Sequence, residues 1–390
     1  MLFIFTSLIN ILLFNVVTLT HINTDTDVYF TTNFTVEYSS PGFFLQAGTP
    51  YKNQSIQLSL TYPYTWMSFI TYNNNQSSTS ELINNNVEFP SDNYGSLIGL
   101  EVKDIISFPE SNISLNNFSF FILRSKSITF HFSILSLSKS YNDTKYSIIH
   151  QLYNEGIIGY KSFTLEYIEA NNGILYLGKY PQYNTKNHNR HQFTCKTTLM
   201  NNNFWGCDLT MVTVGVGNKK YYFHNKYVSH FSASSQFIVP DEFLLLLKET
   251  YFKSALENNI CKFSSLKRFE CDTQSIKNFG DLIFVFESTG LLIHGNELWN
   301  NLNSFKSEFV MYGGYNVYSG IKNEWYIGKA LLDKFTVTFD YEKDEITFSA
   351  TKERIIYINL FTMIRLFKIT SFLLIINILI ICLFKLKTYI

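Results

Sequence analysis

Residues 325–348 read WYIGKALLDKFTVTFDYEKDEITF, and this stretch says most about the fold. Phe335, Val337 and Phe339 alternate with polar residues in it, which is the period of a strand with one buried face. Residues 173–178 (GILYLG) form a similar short apolar run between turn-forming glycines. Short strands separated by many turns predict an all-β body.

Two stretches of the body have a helical pattern instead. Residues 146–155 (YSIIHQLYNE) place apolar side chains on one face and end at Gly156. Residues 241–253 follow Pro240, whose fixed φ suits the entry to a helix. Residues 180–192 (YPQYNTKNHNRHQ) are the most polar stretch and have no apolar pattern. They predict a boundary between two halves, residues 21–190 and 191–353.

Both ends of the chain carry membrane signals. Residues 1–17 are nearly all apolar and predict a signal peptide over residues 1–20. Residues 369–384 (ITSFLLIINILIICLF) are uncharged and are followed by Lys385 and Lys387. They predict a transmembrane helix over residues 369–385, after a juxtamembrane segment (354–368) and before a cytosolic tail (386–390). A buried C-terminal helix is the alternative.

A cleaved signal peptide would place the body in the lumen of the secretory pathway or outside the cell, on a single-pass membrane protein. The cysteines agree, because two short-range bridges, Cys195 with Cys207 and Cys261 with Cys271, leave only Cys382 in the predicted span. Six Asn-x-Ser/Thr sequons are consistent with a secreted glycoprotein. They are Asn33, Asn53, Asn75, Asn112, Asn117 and Asn142.

Composition and motifs exclude several classes of function. Lys plus Arg and Asp plus Glu both number 31, so the chain has no basic footprint for nucleic acid. No Gly-x-Ser-x-Gly, His-Glu-x-x-His or Gly-rich phosphate loop occurs, and His188 and His191 lack further ligands at metal spacing. We expect a monomer that takes no metal and no cofactor.

Several motifs resemble, in the same order, those of the pepsin family of aspartic proteases. Gly48-Thr49-Pro50 lies between two strand-like segments and is followed by Trp66. The other stretches that carry the resemblance are 94–104, 146–159, 162–178, Cys261 with Cys271, and 325–348. Together they cover about residues 32–349. The Asn-rich composition and the C-terminal anchor are similar to those of protist, especially apicomplexan, members of the family.

The resemblance implies a bilobal fold with one catalytic Asp-Thr-Gly turn in each lobe. Two carboxylates a few ångströms apart share one proton, so that one acts as base on a water and the other as acid on the peptide carbonyl. The resemblance also implies a flap at Tyr94, Gly95 and Ser96, and a cleft bordered by Trp66.

The two aspartates themselves are missing from this sequence. The family's spacing, counted from Gly48 and back from Trp66, places the first position at Ser59. Counting back from Pro240 places the second at Phe231. Neither side chain supplies a carboxylate, so activation of water by the family's route should fail. His230 could act as a base but has no partner acid that the sequence identifies, and Asp241 is expected to begin a helix.

Three functions follow as hypotheses. The first is a membrane-anchored pseudoprotease that binds peptide or protein in its inter-lobe cleft. The second is an active aspartic endopeptidase with an atypical site. The third is a glycosylated surface or structural protein whose cleft is filled by Tyr62, Tyr64 and Phe231.

Overall fold

The computed structural model describes residues 29–37, 40–91, 95–123, 133–139, 144–169, 171–178, 190–197, 204–224, 229–233, 237–264, 267–313 and 325–357. We call residues 29–178 the N-terminal half and residues 190–357 the C-terminal half. The predicted signal peptide, transmembrane helix and cytosolic tail lie outside the described residues, as does most of the juxtamembrane segment. Within the described ranges, no helix combines the length and apolar character that crossing a membrane requires.

Strands dominate both halves, as the alternating apolar patterns predict. Those of the N-terminal half are β1 Phe30–Glu37, β2 Ser40–Ala47, β3 Lys52–Ser59, β4 Trp66–Ser68, β5 Glu81–Ser91, β6 Gly95–Phe108, β7 Ile113–Leu123, β8 Ser133–Ser136, β9 Ser162–Glu169 and β10 Asn172–Leu177. The C-terminal half begins with β11 Arg190–Lys196, β12 Gly206–Cys207, β13 Leu209–Val216, β14 Lys219–His224, β15 Ser229–Phe231, β16 Phe237–Val239, β17 Cys261–Phe263 and β18 Phe269–Asp272. It continues with β19 Leu282–Phe286, β20 Thr289–Ile293, β21 Trp299–Asn301, β22 Lys306–Phe309, β23 Met311–Gly313, β24 Trp325–Ile327, β25 Thr336–Asp340, β26 Glu345–Thr351 and β27 Ile355–Tyr357.

The described strands form one large sheet and three smaller ones. The large sheet has the order β11-β26-β25-β9-β10-β1-β2-β3-β8-β4-β7-β6-β5, with β2 also paired to β6. The smaller sheets, all in the C-terminal half, have the orders β12-β15-β24-β16-β23, β14-β13-β19-β20-β27 and β17-β18-β22-β21. The all-β fold prediction is confirmed.

The two halves meet in the large sheet, where β25 pairs with β9 in antiparallel register. On one face of this junction, Phe163 and Phe339 stack with their ring centroids 4.7 Å apart. On the other face, the hydroxyls of Thr164 and Thr338 lie 2.8 Å apart. Three strands from each half thus form one antiparallel layer that joins them.

Helices are few and short. The α-helices are α1 Ile148–Asn154, α2 Asp241–Glu249, α3 Lys253–Glu257 and α4 Lys329–Leu332. The 3-10 helices are Asn74–Gln76, Pro109–Ser111, Thr144–Tyr146, Thr273–Asn278 and Gly295–Glu297. The two helices predicted from the sequence correspond to α1, which buries Ile148, Ile149 and Leu152, and to α2, which starts directly after Pro240.

The Gly-Thr-Pro turn between β2 and β3 depends on its glycine. Gly48 has a φ of +77°, which L side chains rarely adopt, and a Cβ there would approach the Ser77 hydroxyl to 2.8 Å. The Thr49 N–H donates to the same hydroxyl at 2.9 Å. This turn leads into β3, which ends at Ser59.

Candidate functional site

The first candidate position, Ser59, ends β3 and opens a tight turn. Its side chain is 7% exposed. The Ser59 Oγ accepts hydrogen bonds from the N–H groups of Thr61 (3.2 Å) and Tyr62 (3.0 Å) and lies 3.3 Å from the Thr61 hydroxyl. The hydroxyl therefore holds its own turn closed, as a side-chain oxygen does in an ST-turn. Within the described part of the chain, no Asp, Glu or His side chain is hydrogen-bonded to Ser59.

The parallel strand β8 lies beside β3 and contacts this turn. β3 pairs with β8 so that Ser59 is opposite Ser136, and the Leu137 N–H donates to the Ser59 carbonyl at 2.8 Å. The buried Ser136 hydroxyl donates to the Tyr62 carbonyl at 2.6 Å, and the Ser136 N–H donates to the Thr65 hydroxyl at 3.0 Å. Hydrogen bonds of the Ser59, Ser136 and Thr65 hydroxyls thus hold this turn.

The C-terminal half repeats this arrangement with the same pairing pattern. In the N-terminal half β8 pairs with β3 in parallel and with β4 in antiparallel register, at Trp66 and Ile134. In the C-terminal half β24 pairs with β15 in parallel and with β16 in antiparallel register, at Ile238 and Tyr326. The two ladders are therefore equivalent, with Ile134 corresponding to Tyr326.

This equivalence places the counterpart of Ser59 at Ser232. Ser136 lies two residues after Ile134, so its equivalent is Gly328, the residue directly after β24. Phe231 pairs with Ile327, the residue before Gly328. Ser232, the residue after Phe231, donates its N–H to the Ile327 carbonyl at 2.9 Å. The register therefore shifts the sequence-based position by one residue, from Phe231 to Ser232.

The surroundings of Phe231 explain the shift physically. Its side chain is 0% exposed, and its ring packs 5.5 Å from that of Phe348 and 6.2 Å from that of Phe286. Phe231 thus belongs to the hydrophobic core, like Leu58 before Ser59. Since alternate residues of a strand face opposite sides, the residue after Phe231 points away from that core. Ser232 is accordingly half-buried.

Both turns continue with apolar residues. Leu60 follows Ser59 and is 0% exposed, and Ala233 follows Ser232 and is 1% exposed. The neighbouring His230 is 1% exposed and lies between the rings of Phe204 and Tyr326 at centroid distances of 5.1 and 5.4 Å.

Aromatic side chains border the Ser59 turn. Trp66 is 1% exposed and lies 4.9 Å from the Tyr62 ring in edge-to-face geometry. The ring of Tyr64 packs edge-on against Phe121 at 5.6 Å and against Tyr146 at 5.8 Å. We call Tyr62, Tyr64, Trp66, Phe121, Leu123, Ile134, Tyr146 and Val87 the aromatic cluster. It occupies the face of β7 opposite the main core.

The β5–β6 hairpin lies beside the aromatic cluster and contains Gly95 and Ser96, two of the residues predicted to form a flap. Val87 of β5 packs against the cluster. Gly95 begins β6 and pairs with Ser91, next to the pair of Ser96 with Pro90. Tyr94 lies outside the described residues.

The hairpin carries a buried acid that no pattern in the sequence indicates. Glu101 of β6 is 6% exposed and pairs across the sheet with Phe121 of the aromatic cluster. Its carboxylate lies 2.8 Å from the Lys145 ammonium, and this hydrogen bond raises the pKa of Lys145 above its ordinary value. A single Glu in a strand gave no sequence signal, because its partner stands 44 residues away in a 3-10 helix.

Contacts from the C-terminal half hold the segment directly after Ser136. The Leu137 carbonyl accepts hydrogen bonds from the Trp205 indole N–H (2.7 Å) and the Tyr341 hydroxyl (3.0 Å). Lys139, 2% exposed, lies 3.1 Å from the Asp344 carboxylate. Burial lowers the pKa of Lys139, and the hydrogen bond to Asp344 opposes that shift. Residues of both halves thus contact the segment next to the candidate site.

The remaining predicted sites lie away from the turns. The disulfides Cys195–Cys207 and Cys261–Cys271 are formed. The side chains of Asn33, Asn53, Asn75, Asn112 and Asn117 are exposed, and Asn142 lies outside the described residues. Asp241 begins α2 and pairs with Lys267 at 2.6 Å. In the described part of the chain, no three His, Cys, Asp or Glu residues cluster as metal ligands.

Comparisons with known proteins find similarity in structure. No protein-family model matches the sequence, and no curated protein matches it. An aspartic proteinase from Irpex lacteus superposes with a TM-score of 0.66 at 13% identity, over 83% of this chain and 98% of the proteinase. Basic 7S globulin from soybean superposes with a TM-score of 0.65 at 12% identity, over 82% of this chain and 94% of the globulin. The chain therefore has the pepsin-like fold that its motifs predict.

Proposed function

We propose that this protein is a membrane-anchored pseudoprotease, which binds a peptide or protein in the cleft between its halves without cleaving it. The main support is the pair of equivalent turns at Ser59 and Ser232: the resemblance to aspartic proteases leads us to expect one carboxylate in each turn, and both residues are serines. The hydroxyl of Ser59 is occupied by the N–H groups of its own turn.

The chemistry explains why cleavage is not expected. A serine hydroxyl does not ionise near neutral or acid pH, so it cannot accept a proton from water. A serine nucleophile would need an adjacent base, and none is hydrogen-bonded to Ser59 among the described residues. Glu101 is the buried acid that lies nearest to the predicted flap in the sequence, and its carboxylate forms an ion pair with Lys145.

The aromatic cluster supports binding as the retained function. Tyr62 and Tyr64 are only partly buried, so their rings present apolar surface beside the turn. A ligand with large apolar side chains would gain the most from them. The hydrogen bonds of Leu137 to Trp205 and Tyr341 favour a site that is formed in advance of binding.

We place the body on the lumenal or extracellular side of a membrane. The predicted signal peptide and span support this, and two disulfides and five exposed sequons are compatible with it. The protein would act as a monomer without metal or cofactor.

Two other functions remain as alternatives. An active endopeptidase with an atypical site is favoured by the likeness to an aspartic proteinase, but fold alone does not establish activity. A surface or structural protein is favoured by the bulk of Tyr62 and Tyr64 beside the turn.

Retention of peptides on the immobilised protein tests the proposal. A diverse library is applied, and bound peptides are eluted and identified by mass spectrometry. Val87→Arg places a charged side chain against the aromatic cluster and should abolish retention. Ile168→Arg is the matched control, because Ile168 is 62% exposed at the end of β9. Equal retention by both variants, or none by the unmodified protein, would contradict binding in the cleft.

A further inference from the structure

The hairpin β21–β22 presents two apolar side chains at its tip. Leu302 is 51% exposed and Phe305 is 79% exposed, the highest value among the large apolar side chains of the described residues. Both project from a short loop whose other members, Asn303 and Ser304, are polar. At the base of the hairpin, Trp299 and Phe309 pack with ring centroids 5.3 Å apart. The tip residues are therefore not needed for the core.

Hydrogen bonds fix the shape of this tip. The Asn303 side-chain carbonyl accepts from the N–H groups of Phe305 and Lys306, both at 2.9 Å. The Leu302 N–H donates to the Lys306 carbonyl at 2.9 Å, and the Thr273 N–H donates to the Phe305 carbonyl at 3.0 Å. The backbone that carries the two apolar side chains is consequently held in one arrangement, which lowers the entropy lost on contact with a partner.

An ion pair connects the segment before the tip with the segment from which the predicted anchor leaves the body. Arg354 binds Glu297 with both guanidinium NH2 groups, at 2.7 and 2.9 Å. Glu297 precedes Leu302 by five residues, which span at most about 17 Å. Residues 358–368, before the predicted span, reach at most about 40 Å when extended. The tip and the anchor can therefore meet the same membrane surface.

We propose that Leu302 and Phe305 form a second contact with the bilayer that holds the predicted anchor. This inference rests on the proposed membrane anchor. Two side chains alone bury too little apolar surface for stable membrane binding. The anchor makes the contact intramolecular and so raises its effective concentration, and a weak contact then suffices to orient the body. Lys306 can extend its ammonium toward lipid phosphates while its stem lies along the apolar surface.

The test uses the full chain reconstituted in phosphatidylcholine vesicles. Cys382→Ser removes the free thiol, and Ser304→Cys places a single nitrobenzoxadiazole fluorophore at the tip. The expected result is blue-shifted emission and loss of most of the intensity when doxyl-labelled lipids replace ordinary ones. The same fluorophore at Glu342→Cys, an exposed polar turn, should keep its intensity. Adding Leu302→Ser and Phe305→Ser should abolish the quenching at residue 304.

Three results would overturn the proposal, and they are distinguishable. A chain that floats with the vesicles while the label at residue 304 stays unquenched excludes the contact but keeps the anchor. A chain that does not float with the vesicles excludes both. A label shielded from aqueous iodide, yet not reached by doxyl lipids, means that a protein or a second copy covers the tip instead of lipid.

Discussion

Ser59 occupies a turn whose backbone N–H groups are directed at a side-chain acceptor, and Ser232 is its equivalent in the ladder of the C-terminal half. The Ser59 hydroxyl already accepts two turn N–H groups, and a carboxylate in its place could accept the same bonds. The loss of catalysis would therefore come from two side chains rather than from a change of fold.

We expect Ser232→Asp and Phe231→Asp to differ greatly in stability. Phe231→Asp removes a fully buried ring and leaves a carboxylate in the core, which should cost about 4 kcal/mol or more of unfolding free energy. Ser232→Asp, at a half-buried position, should cost no more than about 1 kcal/mol. Denaturant unfolding of the two variants measures the difference. Equal stability would mean that the register around β15 is wrong.

His150 should make the protein less stable in acid. Burial, and then the charge of Lys161, lower the pKa of His150 from its ordinary 6.5 to about 4. Between these two values the unfolded chain binds the extra proton, and because His150 is partly exposed to screening solvent, the unfolding free energy should fall by about 1 to 2 kcal/mol as the pH drops from 6.5 to 4.

His150→Phe retains a ring beside Tyr341, which lies 5.1 Å away. The difference in unfolding free energy between this variant and the unmodified protein should change across pH 4 to 6.5 and be constant above it. A difference that does not depend on pH in that window would argue against a buried neutral His150.

The segment after β8 contacts the turn after β25, and this contact joins the two halves. The Tyr341 hydroxyl donates to the Leu137 carbonyl at 3.0 Å and to that of Ser138 at 2.9 Å. Its ring also packs 4.8 Å from that of Trp205. Burial raises the pKa of Tyr341, so the hydroxyl stays protonated and remains a donor.

Tyr341→Phe should lower the unfolding free energy by about 1 kcal/mol, because it removes the hydroxyl and keeps the ring. It should also weaken peptide retention, because Leu137 is bonded to Ser59. Tyr341→Ala, which removes the ring as well, should cost about 3 to 5 kcal/mol. Isothermal denaturation and the retention assay measure both effects. A Phe variant as unstable as the Ala variant would show that the hydroxyl carries the contact.

Sequence patterns predicted individual elements well where the apolar period was strong. The alternation of Phe335, Val337 and Phe339 predicted β25, and Pro240 marked the start of α2. The second turn was displaced by one residue because counting back from Pro240 assumed the family's loop length. Seven residues separate Ser59 from Trp66, but only six separate Ser232 from Ile238. The apolar character of Phe231 was the signal that it faces the core.

The fold of the whole molecule could be predicted from the order of its motifs. The contacts that join the halves could not, because they link residues far apart in sequence. Trp205 and Leu137 are 68 residues apart, and Tyr341 and Leu137 are 204 apart. Neither contact leaves a local pattern in the sequence, so neither could be predicted without knowing how the two halves lie against each other.

The shared sheet should make the two halves unfold together. Calorimetry of the unmodified protein should show one transition, with calorimetric and van't Hoff enthalpies equal. Val214→Ala, a fully buried change in β13 of the C-terminal half, should lower the midpoint of that single transition. Two separated transitions, of which only one responds to Val214→Ala, would mean that the halves are independent.

A proteolysis assay tests directly whether the cleft binds peptides without cleaving them. The protein is incubated with a diverse peptide library from acid to neutral pH, with and without a statine inhibitor, and the products are identified by mass spectrometry. Ser59→Asp with Ser232→Asp serves as the parallel sample. We predict no cleavage by the unmodified protein while peptides are retained on it. Cleavage that the statine inhibitor abolishes would instead identify a working aspartic protease and exclude a pseudoprotease.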